Sequence, residues 1–175
     1  MRAWSNWGIS SARLCRRMPE SSASCAATRY LHEHIPLTSH MGIEVVSDGA
    51  DGVRLGAPLA PNINHCQTVF GGSAASLATL ACWMFLHLRL RHDHPERNII
   101  VRRSQIEYDR PIDGNFSAWC RPPQLDPWQR LLDDLGARGK GRIELDATLS
   151  QDGVTAARFC GLFVVVQSSE SISDV

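Results

Sequence analysis

The longest apolar stretch of the chain runs from Ser73 to Leu88 and contains no charged residue. As a helix, this stretch would have apolar residues on nearly all of its faces, which is typical of a helix enclosed by the rest of the protein. The stretch would be about 25 Å long as a helix, a little short for a membrane span. We therefore predict a buried core helix from Gly72 to about Leu90.

The segments on either side of this helix alternate apolar and polar residues, as half-buried strands do. Strands are predicted over residues 43–47, 53–59, 99–108, 116–120, 143–149 and 154–166. Turn-rich connections, among them Asp48–Gly52 and a hairpin turn at Pro111–Gly114, favour an antiparallel sheet. A curved antiparallel sheet around one helix would bury every face of the apolar helix and the one apolar face of each strand. The predicted class is therefore α+β.

Two adjacent glycines, Gly71 and Gly72, stand where the predicted helix begins. The first N–H groups of a helix have no partner inside it and lie at the positive end of its dipole. A carbonyl oxygen placed there would be polarised, and an oxyanion would be stabilised. The missing Cβ atoms would let a substrate approach the backbone closely. The alternative is that Gly-Gly only permits tight packing of helix against sheet.

Four separated segments carry a family resemblance: residues 35–43, 57–64, 68–73 and 108–114. Together they resemble hotdog-fold acyl-CoA thioesterases, and most closely the YiiD C-terminal thioesterase-like domain, over residues 31–167. The resemblance implies a hotdog fold, hydrolysis of acyl-CoA or acyl-carrier thioesters, and a homodimer or dimer of dimers. It implies no cofactor beyond the coenzyme A moiety of the substrate.

The resemblance also assigns roles within the segment from Asn64 to Thr79. Asn64 would lie near the thioester or the attacking water, and the Gly71 N–H would bind the thioester carbonyl. The family's catalytic carboxylate follows a Leu-Ala pair, but here Leu77-Ala78 is followed by Thr79. The usual His is replaced by Phe70. The substrate-binding candidates in the motif are Thr68, Phe70, Gly72 and Ser73.

The missing carboxylate leaves the general base open. A Thr79 hydroxyl can hold a water, but it is a poor base at neutral pH. His65 neighbours Asn64, and histidine exchanges protons near neutral pH; the alternative is an ordinary exposed loop histidine. Cys66 beside the helix start is a weaker candidate nucleophile. Glu107, Asp109 and Asp113 are expected to be solvated acids; in a homodimer, Asp109 or Asp113 could instead face the other subunit's helix start.

Three cations, Arg138, Lys140 and Arg142, alternate with glycines in a predicted loop. The segment is not a P-loop, because Gly rather than Ser or Thr follows its Gly-Lys pair. It could hold the phosphates of coenzyme A, or it could be a solvated connection. Before it, Asp126 as N-cap and Pro127 at the first helical position predict a short helix, with an apolar face that could cover the sheet or a substrate tunnel.

Composition narrows the possible partners. The net charge is 0 over 175 residues, which implies no general attraction to nucleic acid or to an anionic membrane. The six cysteines lack C-x-x-C spacing, as expected of free thiols in a reducing, cytoplasmic compartment. The histidine pairs His32/His34 and His92/His94 are too isolated to predict a metal site.

The chain divides into a tail of residues 1–28, a domain of residues 29–167 and a tail of residues 168–175. The first tail is rich in Ser, Ala and Arg and lacks the apolar core of a secretory signal. A transit peptide, a disordered tail and a misassigned start before Met18 all remain open.

Two functions remain open for the domain. The first is an active thioesterase, and the second is a module that binds acyl thioesters without cleaving them. A hydroxyacyl dehydratase is disfavoured, because the His and acid pair is missing.

Overall fold

The computed structural model describes residues 22–93 and 97–167. Its helices are α1 (Ser22–His34), α2 (Pro36–His40), α3 (Gly71–Leu90) and α4 (Leu125–Arg138), with a 3-10 turn at Ala60–Asn62. Its strands are β1 (Glu44–Ser47), β2 (Val53–Ala57), β3 (Arg97–Tyr108), β4 (Phe116–Cys120), β5 (Lys140–Gln151) and β6 (Val154–Gln167). The predictions for residues 1–21 and 168–175 lie outside the described residues.

The six strands form one antiparallel sheet in the order β1-β2-β4-β5-β6-β3. Alternate residues of the inner strands are buried, as in β2, where Val53, Leu55 and Ala57 face the core. The curved sheet wraps the long helix α3, which contacts β2 to β6. The predicted α+β hotdog architecture is confirmed.

Helix α3 is the centre of the hydrophobic core. Leu77, Ala78, Ala81, Cys82 and Leu86 are all 0% exposed. It is the one helix of the described residues whose length and hydropathy match a membrane-spanning segment, yet over half of its apolar window is buried inside the protein. Its burial against the sheet accounts for its apolar sequence without a bilayer.

The predicted hairpin at Pro111–Gly114 is wrong. β3 pairs with β6 at the edge of the sheet, whereas β4 lies between β2 and β5. Residues 109–115 therefore cross the end of the sheet. Ile112 is buried on the way, and its carbonyl accepts a hydrogen bond from the Val69 N–H at 2.7 Å. Proline and glycine predict that the chain bends here. Which strands then pair is decided by contacts between residues that are far apart in the sequence.

Helix α4 differs from its prediction at both ends. It begins at Leu125 after the N-cap Gln124, so Asp126 is not the N-cap and Pro127 is the third helical residue. It continues to Arg138 and ends at Gly139, which has φ 67° and donates its N–H to the Leu135 carbonyl. Because Lys140 already begins β5, the basic segment is a tight helix-to-strand junction rather than a flexible loop.

Helix α1 begins before residue 29. Residues 22–28 form its first half. Ala27 is buried, and the Thr28 hydroxyl accepts a hydrogen bond from the Val45 N–H at 2.8 Å. This contact joins α1 to β1. A smaller difference concerns β2, which ends at Ala57 because Leu59 is the N-cap of the 3-10 turn.

Candidate functional site

The N-terminus of α3 presents backbone donors without a cap. Phe70 is the N-cap residue and makes no side-chain cap hydrogen bond. The first hydrogen bond inside the helix is donated by the Ala74 N–H to the Phe70 carbonyl at 3.1 Å. The N–H groups of Gly71, Gly72 and Ser73 precede it, and the geometry of a helix gives them no partner within α3. They are the donors that the sequence predicted for a carbonyl oxygen.

Asn64 organises the loop that leads to this helix start. Its Oδ1 accepts the Cys66 and Thr68 N–H groups at 2.8 and 3.2 Å, and its Nδ2 donates to the Thr68 hydroxyl at 3.0 Å. A weaker contact joins Nδ2 to the Val69 carbonyl at 3.4 Å. The amide therefore fixes the turn, in which Gln67 has φ 64°. If Asn64 lies beside the thioester, as the sequence predicts, it does so while its side-chain amide also makes these hydrogen bonds.

Asn62 anchors the same loop and was missed by the sequence analysis. Its side chain is 2% exposed, and its Nδ2 donates to the carbonyls of Met41 and Pro58 at 2.9 and 2.8 Å. Its backbone carbonyl accepts the Phe70 N–H at 2.8 Å. Asn62 thus ties the N-cap residue of α3 to the segment before β1. The sequence signal was present, because Asn62 lies in one of the segments that carry the family resemblance.

Tyr108 was also missed, although it lies in another of those segments. Its hydroxyl donates a hydrogen bond to the Gly71 carbonyl at 2.8 Å. Partial burial raises the pKa of Tyr108 above its ordinary value, so the phenol remains a donor at physiological pH. The Gly71 carbonyl shares a peptide plane with the Gly72 N–H, so this bond holds the first exposed peptide of the helix in one orientation.

Two exposed aromatic rings stand beside the donors. Phe70 is 58% exposed and Tyr108 is 53% exposed. A Cβ atom at Gly72 would lie 2.3 Å from the Phe70 ring, and one at Gly71 would lie 3.3 Å from the Tyr108 hydroxyl. Gly72 is therefore needed for the Phe70 ring to lie against the helix start, whereas a Cβ at Gly71 would only crowd the Tyr108 hydroxyl. The arrangement offers backbone donors to an oxygen atom and apolar surface to the group that carries it.

Thr79 lies further along α3. It is half-buried and shares a helix face with Gly72, Ser76 and Trp83. These residues form a partly open stripe on a helix that is otherwise enclosed. Eight residues separate Gly71 from Thr79, which is about 12 Å along the axis. α3 carries no Asp or Glu, so no carboxylate takes the position of the family's acid.

The remaining candidate bases and nucleophiles are exposed. His65 and Cys66 both lie in the Asn64 loop. Asp109 accepts a 2.6 Å ion-pair hydrogen bond from Arg158, and Asp113 accepts one from the Gln151 amide at 2.8 Å. The two acids are thus engaged with β6 and with the end of β5, which stabilises the crossing segment above the helix start.

The basic residues Arg138, Lys140 and Arg142 lie together but far from Gly71. They line one cavity of about 330 Å³ with Asp134 and Gly141, and Arg138 forms an ion pair with Asp134. Lys140 pairs with Val166, which in turn pairs with Asn98 near the start of β3. Tyr108 stands ten residues further along that strand, about 33 Å away. Within one chain the structure does not bring these cations to the donors.

The comparison with known proteins agrees with this fold. Residues 25–167 match the family described as "Putative thioesterase (yiiD_Cterm)". The chain belongs to this family.

Solved structures of three other proteins are similar over most of the chain. A Shewanella oneidensis protein described as a "putative thioesterase" is 30% identical with a TM-score of 0.70, and the match covers 82% of this chain and 96% of that one. A Chlorobaculum tepidum protein of unknown function is 29% identical with a TM-score of 0.77, over 83% and 94% of the two chains. A Pseudomonas aeruginosa protein, 22% identical with a TM-score of 0.72 over 86% and 98%, shares the fold.

Proposed function

We propose that this YiiD_C domain hydrolyses acyl thioesters of coenzyme A or of an acyl carrier, in the cytoplasm. The observation that carries the proposal is the uncapped start of α3 at Gly71 and Gly72, flanked by Phe70 and Tyr108. The Gly71 N–H would donate to the thioester carbonyl and stabilise the oxyanion that forms when water adds. The cytoplasmic assignment is supported by free cysteines at positions 25, 66, 82, 120 and 160.

The attacking water needs a group that orients it and accepts its proton. Thr79 takes the place of the family's carboxylate, and we assign it the orienting role. Because Gly71 and Thr79 of one chain are about 12 Å apart along the helix, the Thr79 that serves a site would be the partner's Thr79. His65, exposed in the neighbouring loop, is the candidate proton acceptor.

A homodimer is supported by the edge strand β3. This strand has 12 residues, and its second edge has no neighbouring strand among the described residues. Val101 and Tyr108 are exposed apolar side chains on it. A long exposed edge is a liability that pairing with a second copy removes. Antiparallel pairing of two β3 strands would also cover the open stripe on α3.

Such a dimer would complete the substrate site. Two-fold antiparallel pairing reverses the second β3, so its Arg97 end would meet the Tyr108 end of the first. The partner's Arg138, Lys140 and Arg142 would then approach the Gly71 donors, although the same residues lie about 33 Å away within one chain. Guanidinium and ammonium groups suit the phosphates of coenzyme A or of a phosphopantetheine arm.

The second candidate function is a module that binds acyl thioesters without cleaving them. The specific observation in its favour is Thr79, since α3 carries no carboxylate that could act as a base. Both functions would use the same donors and the same cations. They differ only in whether water is activated.

One experiment separates the two functions. The purified protein is mixed with acyl-CoAs of increasing chain length and a thiol reagent that reports free coenzyme A, while binding is followed by calorimetry. Hydrolysis requires release of the thiol with a defined chain preference. Binding without thiol release at pH 8 would favour the binding module, and the absence of both would overturn the site.

Thr79→Val supplies the matched variant, because it replaces the hydroxyl by a methyl group of similar shape. If Thr79 orients the water, kcat falls by about 10- to 100-fold, at the low end of general-base effects, while calorimetric affinity for acyl-CoA is retained. Equal turnover in Thr79→Val and wild type would exclude this role and leave Thr79 as a packing residue.

A further inference from the structure

A second cavity lies at the opposite end of α3 from the glycines. It has a volume of about 600 Å³ and is formed by the last turns of α3, the first half of α4, the segment before α4 and the β1–β2 turn. Its lining residues are Ala50, Phe85, Arg89, Leu90, Asp93, Pro122, Pro123, Leu125, Trp128 and Leu132. The proposed function makes no use of this cavity.

The cavity is separate from the thioester site. Phe85, the nearest of its α3 residues, stands 14 positions after Gly71, which is about 21 Å along the helix. Leu90 is about 28 Å away on the same basis. A ligand in this cavity would therefore lie well apart from a thioester carbonyl on the Gly71 N–H of the same chain.

The walls are mostly apolar. Phe85 and Trp128 pack edge to face, with ring centroids 5.9 Å apart and an interplanar angle of 72°. Leu125, at the start of α4, is 79% exposed, the most exposed of the large apolar residues described. A volume of this size with apolar walls and few polar groups is typical of small-molecule sites.

Arg89 supplies a positioned cation in the wall. Its Nη2 donates to the Gly49 carbonyl at 2.8 Å, and its guanidinium carbon lies 5.5 Å from the centre of the Phe85 ring. A guanidinium carries five N–H donors, so this hydrogen bond leaves donors of the fork for a ligand. Carboxylates match that fork in a bidentate geometry. The other charged wall residue, Asp93, is exposed in the turn after α3.

We propose that this cavity binds an aliphatic carboxylate, with the chain against Phe85, Leu90 and Trp128 and the carboxylate on Arg89. The walls are apolar, and the one cation among the described wall residues is the hydrogen-bonded guanidinium of Arg89. These two features indicate a ligand with an aliphatic chain and a carboxylate. An alkyl ammonium, which would pair with Asp93 instead, is the alternative that the experiment must exclude. The inference does not depend on hydrolysis, because it concerns binding at the far end of the helix.

The ligand class is tested by calorimetric titration of the full chain. The probes are decanoate, decanol and decyltrimethylammonium, each below its micelle concentration. Decanoate is expected to bind tightest, and Arg89→Gln is expected to lower its affinity about tenfold while leaving that of decanol unchanged. Arg91→Gln, which removes an exposed arginine of the same helix end that is not part of the wall, is the matched control and should leave decanoate affinity unchanged. Tighter binding of the ammonium, or an equal effect of both variants, would overturn the proposal.

The location is tested by fluorescence quenching with 10-bromodecanoate. A bromine atom in the cavity should quench Trp128, so Trp128→Phe should remove most of the quenching while calorimetry still detects binding. Unchanged quenching in Trp128→Phe, or no binding at about 1 mM, would each contradict a site in this cavity. None of these results depends on turnover.

Discussion

Gly71 is the residue on which the proposed chemistry depends most directly, and its position in the helix allows a sharp test. It is the first residue of α3, where proline is well tolerated because the N–H has no partner inside the helix. Phe70 has φ −61° and ψ 131°, the extended conformation that the residue before a proline prefers. Gly71→Pro therefore removes the donor with little cost to the helix, and we expect kcat/KM for acyl-CoA to fall about 100-fold or more.

Gly71→Ala is the matched control for that variant. It keeps the N–H and adds a Cβ atom 3.3 Å from the Tyr108 hydroxyl, which lies at the end of a side chain that can shift slightly. Activity should stay within a few-fold of wild type. Equal losses in the alanine and proline variants, measured on folded protein with unchanged circular dichroism, would show that crowding rather than the donor is responsible.

Tyr108 acts on the neighbouring peptide, which carries the Gly72 N–H, through its hydrogen bond to the Gly71 carbonyl. Tyr108→Phe keeps the ring and removes one hydrogen bond, worth about 1 kcal/mol. We expect kcat to fall about fivefold with KM nearly unchanged, because the phenol holds the peptide that follows the Gly71 donor. The raised pKa of Tyr108 predicts that the wild-type phenol ionises above the range of free tyrosine, as followed by absorbance near 295 nm. A fall in substrate affinity without a change in kcat would instead place Tyr108 in the binding surface.

At the scale of elements, local patterns predicted what lies close in sequence. The all-round apolar run gave the extent of α3 to within one residue, and Gly71-Gly72 marked its start. The partner of β3 could not be predicted, because Pro111–Gly114 bends the chain without specifying the strand that follows. The contact between Tyr108 and Gly71 could not be predicted for the same reason. The two residues are 37 positions apart in the sequence, and only the crossing of the sheet brings them together.

Helix α4 offers a prediction about its end, which the sequence analysis placed in a loop that either holds phosphates or is a solvated connection. Gly139 has φ 67°, a conformation that costs a residue with a Cβ atom about 1 kcal/mol. Gly139→Ala should therefore lower the free energy of unfolding by about that amount, measured by urea denaturation.

Gly136, three residues earlier, lies inside α4 with nothing within 4 Å of an added Cβ. Gly136→Ala should raise the free energy of unfolding by up to about 1 kcal/mol. The same sign for both variants would contradict the assigned helix end.

At the scale of the whole molecule, the distance between the donors and the cations decides how the proposed site is assembled. β3 runs from the end of the sheet that holds Arg138, Lys140 and Arg142 to the end that holds Gly71 and Tyr108. A single chain has both parts of a site for acyl-CoA but keeps them at opposite ends. If two chains paired through β3, the cations of each chain would lie beside the donors of the other. The dimer would then contain two complete sites. The open stripe along α3 lies beside this edge, where the Trp83 indole donates to the Ile99 carbonyl at 3.2 Å.

Mixing two inactive variants tests this assembly. One variant carries Gly71→Pro, and the other carries Arg138→Gln, Lys140→Gln and Arg142→Gln together. Each homodimer should be weak on acyl-CoA, but a mixed dimer would contain one site with an intact Gly71 on one chain and intact cations on the other. Activity should therefore rise when the two chains are unfolded and refolded together, and not when each is refolded alone. A short acyl thioester without phosphates should be cleaved by the triple variant at the wild-type rate. A monomer in sedimentation at micromolar concentration, or a mixture no more active than its components, would rule out a site shared between two chains.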